Sequence, residues 1–315
     1  MSLDEKYINL FAKITSKAAI STIPYLGKKD KKAADKAAVD NMRSELNKIN
    51  MRGTIVIGEG ELDEAPMLYI GEKLGNGKGP DLDIAVDPLE GTNFAANNLP
   101  GALSVIAVSK ANNLFHAPET YMDKIAINSN EKGIVDIDFD IETNVKNLAE
   151  FLNKDIKELT VCILNRPRHK KIIDKLKELN VNIKLISDGD VSGALLVSNN
   201  KYKVDLFLGI GGGPEGVLAA AALDSLGCYF QGKFIFDSKE SINRAKSMGI
   251  RDTNKKYEIE DIIKGDSIFC ATGITSGDLV NGVKIIGNKY ITETLITHKS
   301  SNLNKILVQE DTIKT

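Results

Sequence analysis

The sequence has few cysteines and no long apolar run, and each absence excludes a class of protein. Its 315 residues include only Cys162, Cys228 and Cys270, which are far apart and lie among apolar residues. A disulfide or zinc framework needs paired or closely spaced cysteines, so we expect reduced thiols in the core. No apolar stretch approaches the roughly 20 residues of a membrane span, and residues 1–10 lack the pattern of a signal peptide. We therefore expect a cytoplasmic protein without membrane contact.

The chain also lacks a strong charge of either sign. A formal net charge of -2 at pH 7 gives no case for nucleic acid as a partner. The balance is uneven, since nine Asp or Glu stand against two Lys between Glu59 and Glu90. A solvated acidic surface is the ordinary interpretation of such a run. Here the carboxylates follow predicted strands and turns, which favours binding of a cation.

No repeat, low-complexity tract or Pro/Ser-rich linker divides the chain. Strand and helix patterns alternate after about residue 156, which predicts an α/β protein with parallel strands and helices on both faces of a sheet. We expect two halves, residues 1–155 and 156–315, with a segment from about residue 285 that can pack on the first half.

One stretch of the sequence is predicted to deliver carboxylates and a hydroxyl to the end of a strand. Residues 83–86 form a short, mostly apolar run, and Pro88, which has no N–H to donate, is predicted to end it. Asp87, Glu90 and Thr92 should then emerge at the carboxyl end of the strand, where open α/β sheets bind their ligands.

A second strand, residues 53–58, opens into a turn that carries Glu59. A carboxylate at this glycine-flexed exit has no local structural task, whereas Asp63 can cap a helix that stops at Gly75. If the two strands are neighbours, Glu59 meets Asp87. The sequence therefore predicts a hard-cation site made of oxygen ligands.

Two helices are predicted in the first 50 residues, the second from about Lys32 to Ile49. Asp35 is placed in the first turn of this helix, where a carboxylate complements the helix dipole. The lysine-rich turn at residues 27–32 fits either a solvated loop or an anion contact.

Polar residues follow the strands of the second half. Arg166 and Arg168 suit a phosphate, because a guanidinium group binds phosphate by paired hydrogen bonds, although many basic turns are merely solvated. Asp188 and Asp190 flank a glycine and fit either turn chemistry or recognition of sugar hydroxyls. His169 is only a weak candidate for a general base.

A glycine loop offers a different function. Residues 211–216 match G-x-G-x-x-G between a predicted strand and a helix, and Asp237 lies about where a ribose-binding acid is expected, which indicates a dinucleotide-dependent oxidoreductase. Against this, Pro214 removes a backbone donor, and Glu215 puts negative charge where a pyrophosphate would lie.

The run Asp87-Pro88-Leu89-Glu90-Gly91-Thr92 is similar to the Asp-Pro-x-Asp/Glu-Gly-Thr signature of the lithium-sensitive, metal-dependent phosphatase superfamily. With further motifs, the chain resembles class II fructose-1,6-bisphosphatase over nearly its whole length. These further motifs are residues 58–67, 166–169, 188–190, 209–216 and 271–275.

The resemblance implies an α/β fold, an αβαβα sandwich of sugar-phosphatase type, and dependence on Mn²⁺ or Mg²⁺. It also implies hydrolysis of the 1-phosphate of fructose 1,6-bisphosphate, a gluconeogenic reaction, by a homo-oligomer, either a dimer or a tetramer. Three alternatives stay open: a phosphatase of sedoheptulose 1,7-bisphosphate or of inositol or nucleotide phosphates, the oxidoreductase, and a non-catalytic sugar-phosphate sensor.

The resemblance also assigns site residues. The metal ligands it implies are Asp35, Glu59, Asp87, Glu90 and Glu215. The substrate contacts are Glu90, Gly91, Thr92, Tyr121, Arg166, Pro167, Arg168, Asp188, Gly189, Asp190 and Gly212. The residues at the reacting centre are Thr92, Glu61, Asp63 and Lys31, with Glu61 and Asp63 as candidate bases. The chain departs from the family pattern at Asn93-Phe94 and in a short segment near residues 237–243, which bears on regulation and substrate selection.

Overall fold

The structure, a computed structural model, describes residues 3–58 and 68–313. No helix within those ranges is long and apolar enough to cross a membrane. The three cysteines are buried free thiols, as predicted.

The chain divides into two compact units. The first unit combines Met1–His116 with Ile263–Thr315, and the second unit is Ala117–Ile262. The sequence predicts one division near residue 155, whereas the structure divides the chain twice, at residues 116–117 and 262–263. The first unit therefore contains both the N-terminal and the C-terminal segments.

Helices and strands alternate along much of the chain. The α-helices are α1 Lys6–Ser21, α2 Lys31–Leu46, α3 Thr92–Asn97, α4 Ile141–Leu152, α5 Lys170–Glu178, α6 Asp190–Leu195, α7 Gly213–Ser225, α8 Lys239–Ser247 and α9 Ile259–Ile262. The strands are β1 Arg52–Ile57, β2 Lys73–Leu74, β3 Asp81–Glu90, β4 Leu103–Lys110, β5 Tyr121–Ile127, β6 Thr160–Leu164, β7 Asn182–Ile186, β8 Leu206–Gly212, β9 Tyr229–Ile235, β10 Lys256–Glu258, β11 Ser267–Gly273, β12 Lys284–Ile286, β13 Lys289–His298 and β14 Leu303–Thr312.

The first unit is built on a sheet in the order β12-β13-β11-β4-β3-β1-β2, with β14 paired to β13. β1 and β3 are parallel, and the other pairs are antiparallel. Phe11 of α1 and Met42 of α2 are fully buried in one cluster with Ile84 and Ile106 of the central strands. Burial of this apolar area, worth ~25 cal/mol per Å², fixes the two helices on the sheet.

Strand β3 is longer than predicted and continues past Pro88. The pairing with β4 shifts between Asp87 and Glu90, so that Pro88 lies in a bulge. A proline is tolerated there, because its missing N–H is not needed by the ladder. The prediction that Pro88 ends the strand is therefore wrong, and the bulge directs the last residues of β3.

Helix α2 begins at Lys31, one residue before the predicted start, and Asp30 caps it by accepting a hydrogen bond from the Ala33 N–H at 3.0 Å. The first turn of α2 contains no acidic residue. Asp35 therefore lies beyond the first turn, and the prediction that it complements the helix dipole there is wrong.

Two short segments differ from their predicted form. Residues 68–75, expected to belong to a helix ending at Gly75, contain a turn and β2, which pairs antiparallel with β1. Gly71 and Gly75 have φ values of 95° and 92°, which are incompatible with a right-handed helix. Residues 134–139 alternate apolar and acidic residues, a pattern that predicts an antiparallel strand with one solvated face, but they form turns.

The second unit contains a sheet in the order β10-β9-β5-β8-β6-β7. β6 is parallel to β7 and β8, as predicted, whereas β5 is antiparallel to both β8 and β9. The carboxyl ends of β6, β7, β8 and β9 consequently lie at the same edge as the start of β5. With two sheets and their helices, the α/β class is confirmed.

Candidate active site

In the first unit, the end of β3 carries carboxylates into a tight turn. Glu90 is buried, with 2% of its surface exposed, and Asp87 is half-buried. Gly91 has a φ of 80° and precedes α3, which begins at Thr92. A Cβ at Gly91 would lie 2.8 Å from a ring carbon of Phe94. Only glycine satisfies both the angle and the space, so this turn places Thr92 directly after the carboxylates.

The start of α2 lies beside α3. The Gly27 N–H donates to the Ala95 carbonyl at 3.0 Å, and the Lys29 N–H donates to the Ala96 carbonyl at 2.8 Å. The lysine-rich turn is thus held by backbone hydrogen bonds.

Lys31 and Asp35 follow that turn four residues apart, which puts them on one face of α2. Lys31 is exposed, whereas Asp35 is partly buried. The two side chains therefore share one face of a helix whose preceding turn is held beside α3.

The carboxylate of Asp35 is partly buried, and burial changes its electrostatics. Its Oδ1 is buried and has no hydrogen-bond partner among the described residues. Burial raises the pKa of Asp35 from 3.8 to about 6. Burial of a carboxylate without a partner is costly, and a divalent cation bound by oxygen ligands would compensate for it. The donor chemistry of this region therefore fits the metal that the sequence implies.

The complete ligand set stays a prediction. Within residues 3–58 and 68–313, no three His, Cys, Asp or Glu side chains are placed so that they could hold a metal ion together. The predicted ligand Glu59 and the candidate bases Glu61 and Asp63 lie outside the described residues. Asp83, at the start of the same stretch, has a structural role instead, since it accepts the N–H groups of Asn113 at 3.0 Å and Leu114 at 3.2 Å.

In the second unit, the strand ends bring the predicted sugar-phosphate contacts to one edge of the sheet. Tyr121 opens β5 directly opposite Gly212 of β8, and half of its surface is exposed. The other predicted contacts at this edge follow β6 and β7. They are Arg166, Pro167, Arg168, Asp188, Gly189 and Asp190.

The two arginines are fixed by main-chain oxygens. Nε and Nη2 of Arg168 donate to the Ile210 carbonyl at 2.9 and 2.8 Å, and its guanidinium lies 4.7 Å from the centre of the Tyr121 ring. Arg166 donates to the Ser187 carbonyl and, at 3.3 Å, to Asp188. Two oriented guanidinium groups at one edge suit a phosphate.

His169 has a structural role rather than that of a base. It is fully buried, its Nδ1 lies 2.6 Å from the Leu164 carbonyl, and its Nε2 accepts the Ile210 N–H at 2.8 Å. Burial lowers the pKa of His169 below its ordinary value. Both nitrogens are engaged, so the ring connects the turn after β6 to β8.

The glycine loop accommodates carboxylates. A Cβ at Gly211 would lie 1.9 Å from Oδ2 of Asp190, and a Cβ at Gly212 would lie 1.9 Å from Oε2 of Glu215. The space that a dinucleotide pyrophosphate requires beside this backbone is thus taken by negative side chains. Burial raises the pKa of Glu215, while the charge of Lys124 acts in the opposite direction.

Sequence reasoning missed Lys124. This residue of β5 is buried, with 1% of its side chain exposed, and forms an ion pair with Asp190. The only signal is a lysine beside an apolar run, Ile125-Ala126-Ile127, and such residues are usually at the surface.

Carboxylates that suit a divalent cation in the first unit, and guanidinium groups that suit a phosphate in the second, are the features expected of a metal-dependent phosphatase that acts on phosphorylated sugars. Residues 5–310 match the family described as bacterial fructose-1,6-bisphosphatase, glpX-encoded. The chain therefore belongs to the class 2 fructose-1,6-bisphosphatase family.

Curated relatives support this assignment over almost the full length. The fructose-1,6-bisphosphatase class 2 of Haemophilus influenzae is 43% identical, over 94% of this chain and 93% of that protein. Fructose-1,6-bisphosphatase 1 class 2 of Escherichia coli is 42% identical, over 94% of this chain and 92% of that protein. A D-fructose 1,6-bisphosphatase class 2/sedoheptulose 1,7-bisphosphatase of Synechococcus is 42% identical, over 95% and 93%.

Among solved structures, the IMPase of Thermotoga maritima is similar at 12% identity with a TM-score of 0.31, covering 63% of this chain and 79% of that one. An extragenic suppressor from Pyrococcus furiosus is 13% identical with a TM-score of 0.33. This match covers 61% of this chain and 70% of that one. These scores are too low to add to the family assignment.

Proposed function

We propose that the protein hydrolyses the 1-phosphate of D-fructose 1,6-bisphosphate, giving fructose 6-phosphate and phosphate. The observation that carries this proposal is the match to class 2 fructose-1,6-bisphosphatases at 42–43% identity over 94% of the chain. The family resemblance also supports a place in gluconeogenesis, a cytoplasmic location and a homo-oligomer, either a dimer or a tetramer.

The proposed cofactor is Mn²⁺ or Mg²⁺. Asp35, Glu59, Asp87 and Glu90 of the first unit and Glu215 of the second unit are the proposed ligands. The buried Oδ1 of Asp35, which has no hydrogen-bond partner among the described residues, supports this, because carboxylate oxygens are the ligands that hard cations prefer. Such ions, held by these carboxylates, would neutralise the charge of the phosphoryl group and make a bound water more acidic.

In the first unit, the chain would orient the reacting groups. Thr92 stands at the start of α3, directly after the Gly91 turn, and we assign its hydroxyl the alignment of the attacking water or the phosphate. Glu61 or Asp63 would accept the proton of that water, and Lys31 would balance negative charge. No residue need form a covalent intermediate.

In the second unit, Arg166 and Arg168 would bind the remote 6-phosphate. Their guanidinium groups are pre-positioned by main-chain hydrogen bonds, which lowers the entropy cost of binding. Asp188 and Asp190 would accept hydrogen bonds from hydroxyl groups of the sugar. Binding energy from this remote end would then hold the 1-phosphate in place for reaction.

Sedoheptulose 1,7-bisphosphate is a second candidate substrate. The Synechococcus relatives that carry both activities in their names are as similar to this chain, at 41–42%, as those named for fructose 1,6-bisphosphate alone.

Phosphate release from a panel of sugar bisphosphates, inositol phosphates and nucleotide phosphates tests the proposal, with Mn²⁺ and Mg²⁺ compared. We expect turnover of fructose 1,6-bisphosphate, and a loss of ~100-fold or more in Thr92→Ala and Asp87→Asn. Asp81→Asn is the matched control, since Asp81 lies on the same strand but pairs with Arg52 at the exposed end. Near-normal turnover in both site variants would overturn the assignment.

A further inference from the structure

We propose that Lys124 is a positioning residue: it holds Asp190 so that the second oxygen of this carboxylate accepts a hydrogen bond from a hydroxyl group of the sugar. The inference deepens the proposed function and rests on it, because it takes Asp190 as a substrate contact. Lys124 itself is too deeply buried to touch the sugar.

Lys124 lies inside the second unit. It is the fourth residue of β5, opposite Gly209 of β8 and Gly232 of β9, and 1% of its side chain is exposed. Lysine is almost never buried to this extent without a specific partner. A lysine in the middle of a sheet therefore needs a charged or polar partner beside its ammonium group.

The partner is Asp190, whose side chain is 10% exposed and whose Oδ2 accepts a hydrogen bond from Nζ. The same oxygen would lie 1.9 Å from a Cβ at Gly211. The carboxylate is thus confined between the backbone of β8 and the lysine. Asp190 opens α6 directly after Gly189, which has a φ of 82°.

The other oxygen of Asp190 is available to a ligand. Oδ1 is buried and lacks a hydrogen-bond partner among the residues that the structure describes. An unpaired buried acceptor costs free energy, so this position calls for a donor from a ligand. A sugar hydroxyl is such a donor, whereas a phosphate would be repelled by the carboxylate.

The ion pair explains why a neutral side chain cannot take the role of Lys124. A Cβ at Gly216 would lie 3.5 Å from Cε of Lys124, which puts the end of the lysine stem against the first turn of α7. The ammonium is thus held between α7 and Asp190. Without it, Asp190 would lose the hydrogen bond that fixes its carboxylate.

The test is a double-mutant cycle with Lys124→Met and Asp190→Asn. Affinity for fructose 6-phosphate is measured by calorimetry in EDTA, so that no metal contributes. We expect each single variant to bind about tenfold or more weakly than the wild type, the loss of one charge-assisted hydrogen bond. Adding Lys124→Met to the D190N background should change affinity by less than about threefold, since the lysine acts through Asp190.

The matched control is Lys233→Met. Lys233 lies on the neighbouring strand β9 and pairs with Asp138 away from the predicted contacts. It should leave affinity within about threefold of the wild type. With Mn²⁺, Lys124→Met should raise KM for fructose 1,6-bisphosphate about tenfold and change kcat far less. Wild-type affinity in Lys124→Met, or a further tenfold loss on adding it to D190N, would overturn the proposal.

Melting temperatures complete the cycle. Lys124→Met leaves a buried carboxylate without its counter-charge, so this variant should melt well below the wild type, and the double variant should regain part of the loss. If Lys124→Met alone does not fold, the double variant still tests the pairing. A double variant that regains no stability contradicts it. A wild type that neither binds fructose 6-phosphate nor hydrolyses the bisphosphate overturns the proposed function, while the melting temperatures still test the pair.

Discussion

Replacement of Asp35 by Asn should stabilise the metal-free protein near pH 8. Burial raises the pKa of Asp35 from 3.8 to about 6, so the folded protein favours the neutral acid. The stability that this preference contributes is fully present below about pH 4. It is lost as the pH rises through the folded-state pKa, about 6. Asparagine avoids the loss because it carries no charge at any pH.

The magnitude follows from the same values. A pKa raised from 3.8 to about 6 corresponds to ~3 kcal/mol, at ~1.4 kcal/mol per tenfold change in proton affinity. Asp35 is only partly buried, so solvent screening reduces this figure to ~1–3 kcal/mol.

Urea unfolding in EDTA, followed by far-ultraviolet circular dichroism, measures this difference at about pH 4 and pH 8. We expect Asp35→Asn to exceed the wild type at pH 8 and to match it near pH 4. Asp40→Asn is the control on the same helix. The Asp40 side chain is 48% exposed, so this substitution should change the free energy of unfolding by less than ~0.5 kcal/mol. Added Mn²⁺ should stabilise the wild type but not Asp35→Asn. A variant less stable than the wild type at pH 8 would refute the reasoning.

Three further outcomes follow from the second unit. Gly212→Ala should lower both the melting temperature and phosphate release, because the new Cβ would lie 1.9 Å from an oxygen of Glu215; unchanged values would contradict that packing. Arg168→Lys should raise KM about tenfold in steady-state kinetics. A lysine loses the two hydrogen bonds that the guanidinium donates to the Ile210 carbonyl, and it also loses the contact with the Tyr121 ring. His169→Leu should lower the free energy of unfolding by ~2 kcal/mol, since two buried hydrogen bonds are lost, and an unperturbed denaturation curve would count against it.

The grouping of residues in the second unit could be predicted from chain order. Arg166 follows β6, Asp188 follows β7 and Gly212 ends β8, and parallel strands always end at the same edge of a sheet. Local spacing was enough because each residue adjoins its strand. Antiparallel β5, which brings Tyr121 to this edge, could not be recognised in the same way, since its position depends on pairing with strands much later in the chain.

The predictions that failed depended on tertiary contacts. Pro88 is compatible with a strand because β4 happens to leave a bulge opposite it. Residues 134–139 alternate as a strand would, but Ile134 and Val135 are both buried, and Asp136 is fixed by Lys256. The pattern arises from turns that cover a core, and nothing local distinguishes the two cases.

Lys124 illustrates the same limit at the site itself. Its partner Asp190 is 66 residues away in sequence, and a lysine at the side of an apolar strand usually reaches solvent. The pairing of β5 with β8, which sets Lys124 opposite Gly209, cannot be recognised from the sequence of either strand.

The division of the first unit between two sequence segments sets an order of folding during synthesis. β11 lies between β4 and β13 in the sheet, yet Ala117–Ile262 is translated between β4 and β11. The ribosome thus delivers every residue of the second unit before the sheet of the first can be completed. The second unit is free to fold as a domain while the N-terminal strands still await their neighbours. The bridge between Leu114 and Ile263, where the chain leaves and re-enters the first unit, forms only after that domain has been made.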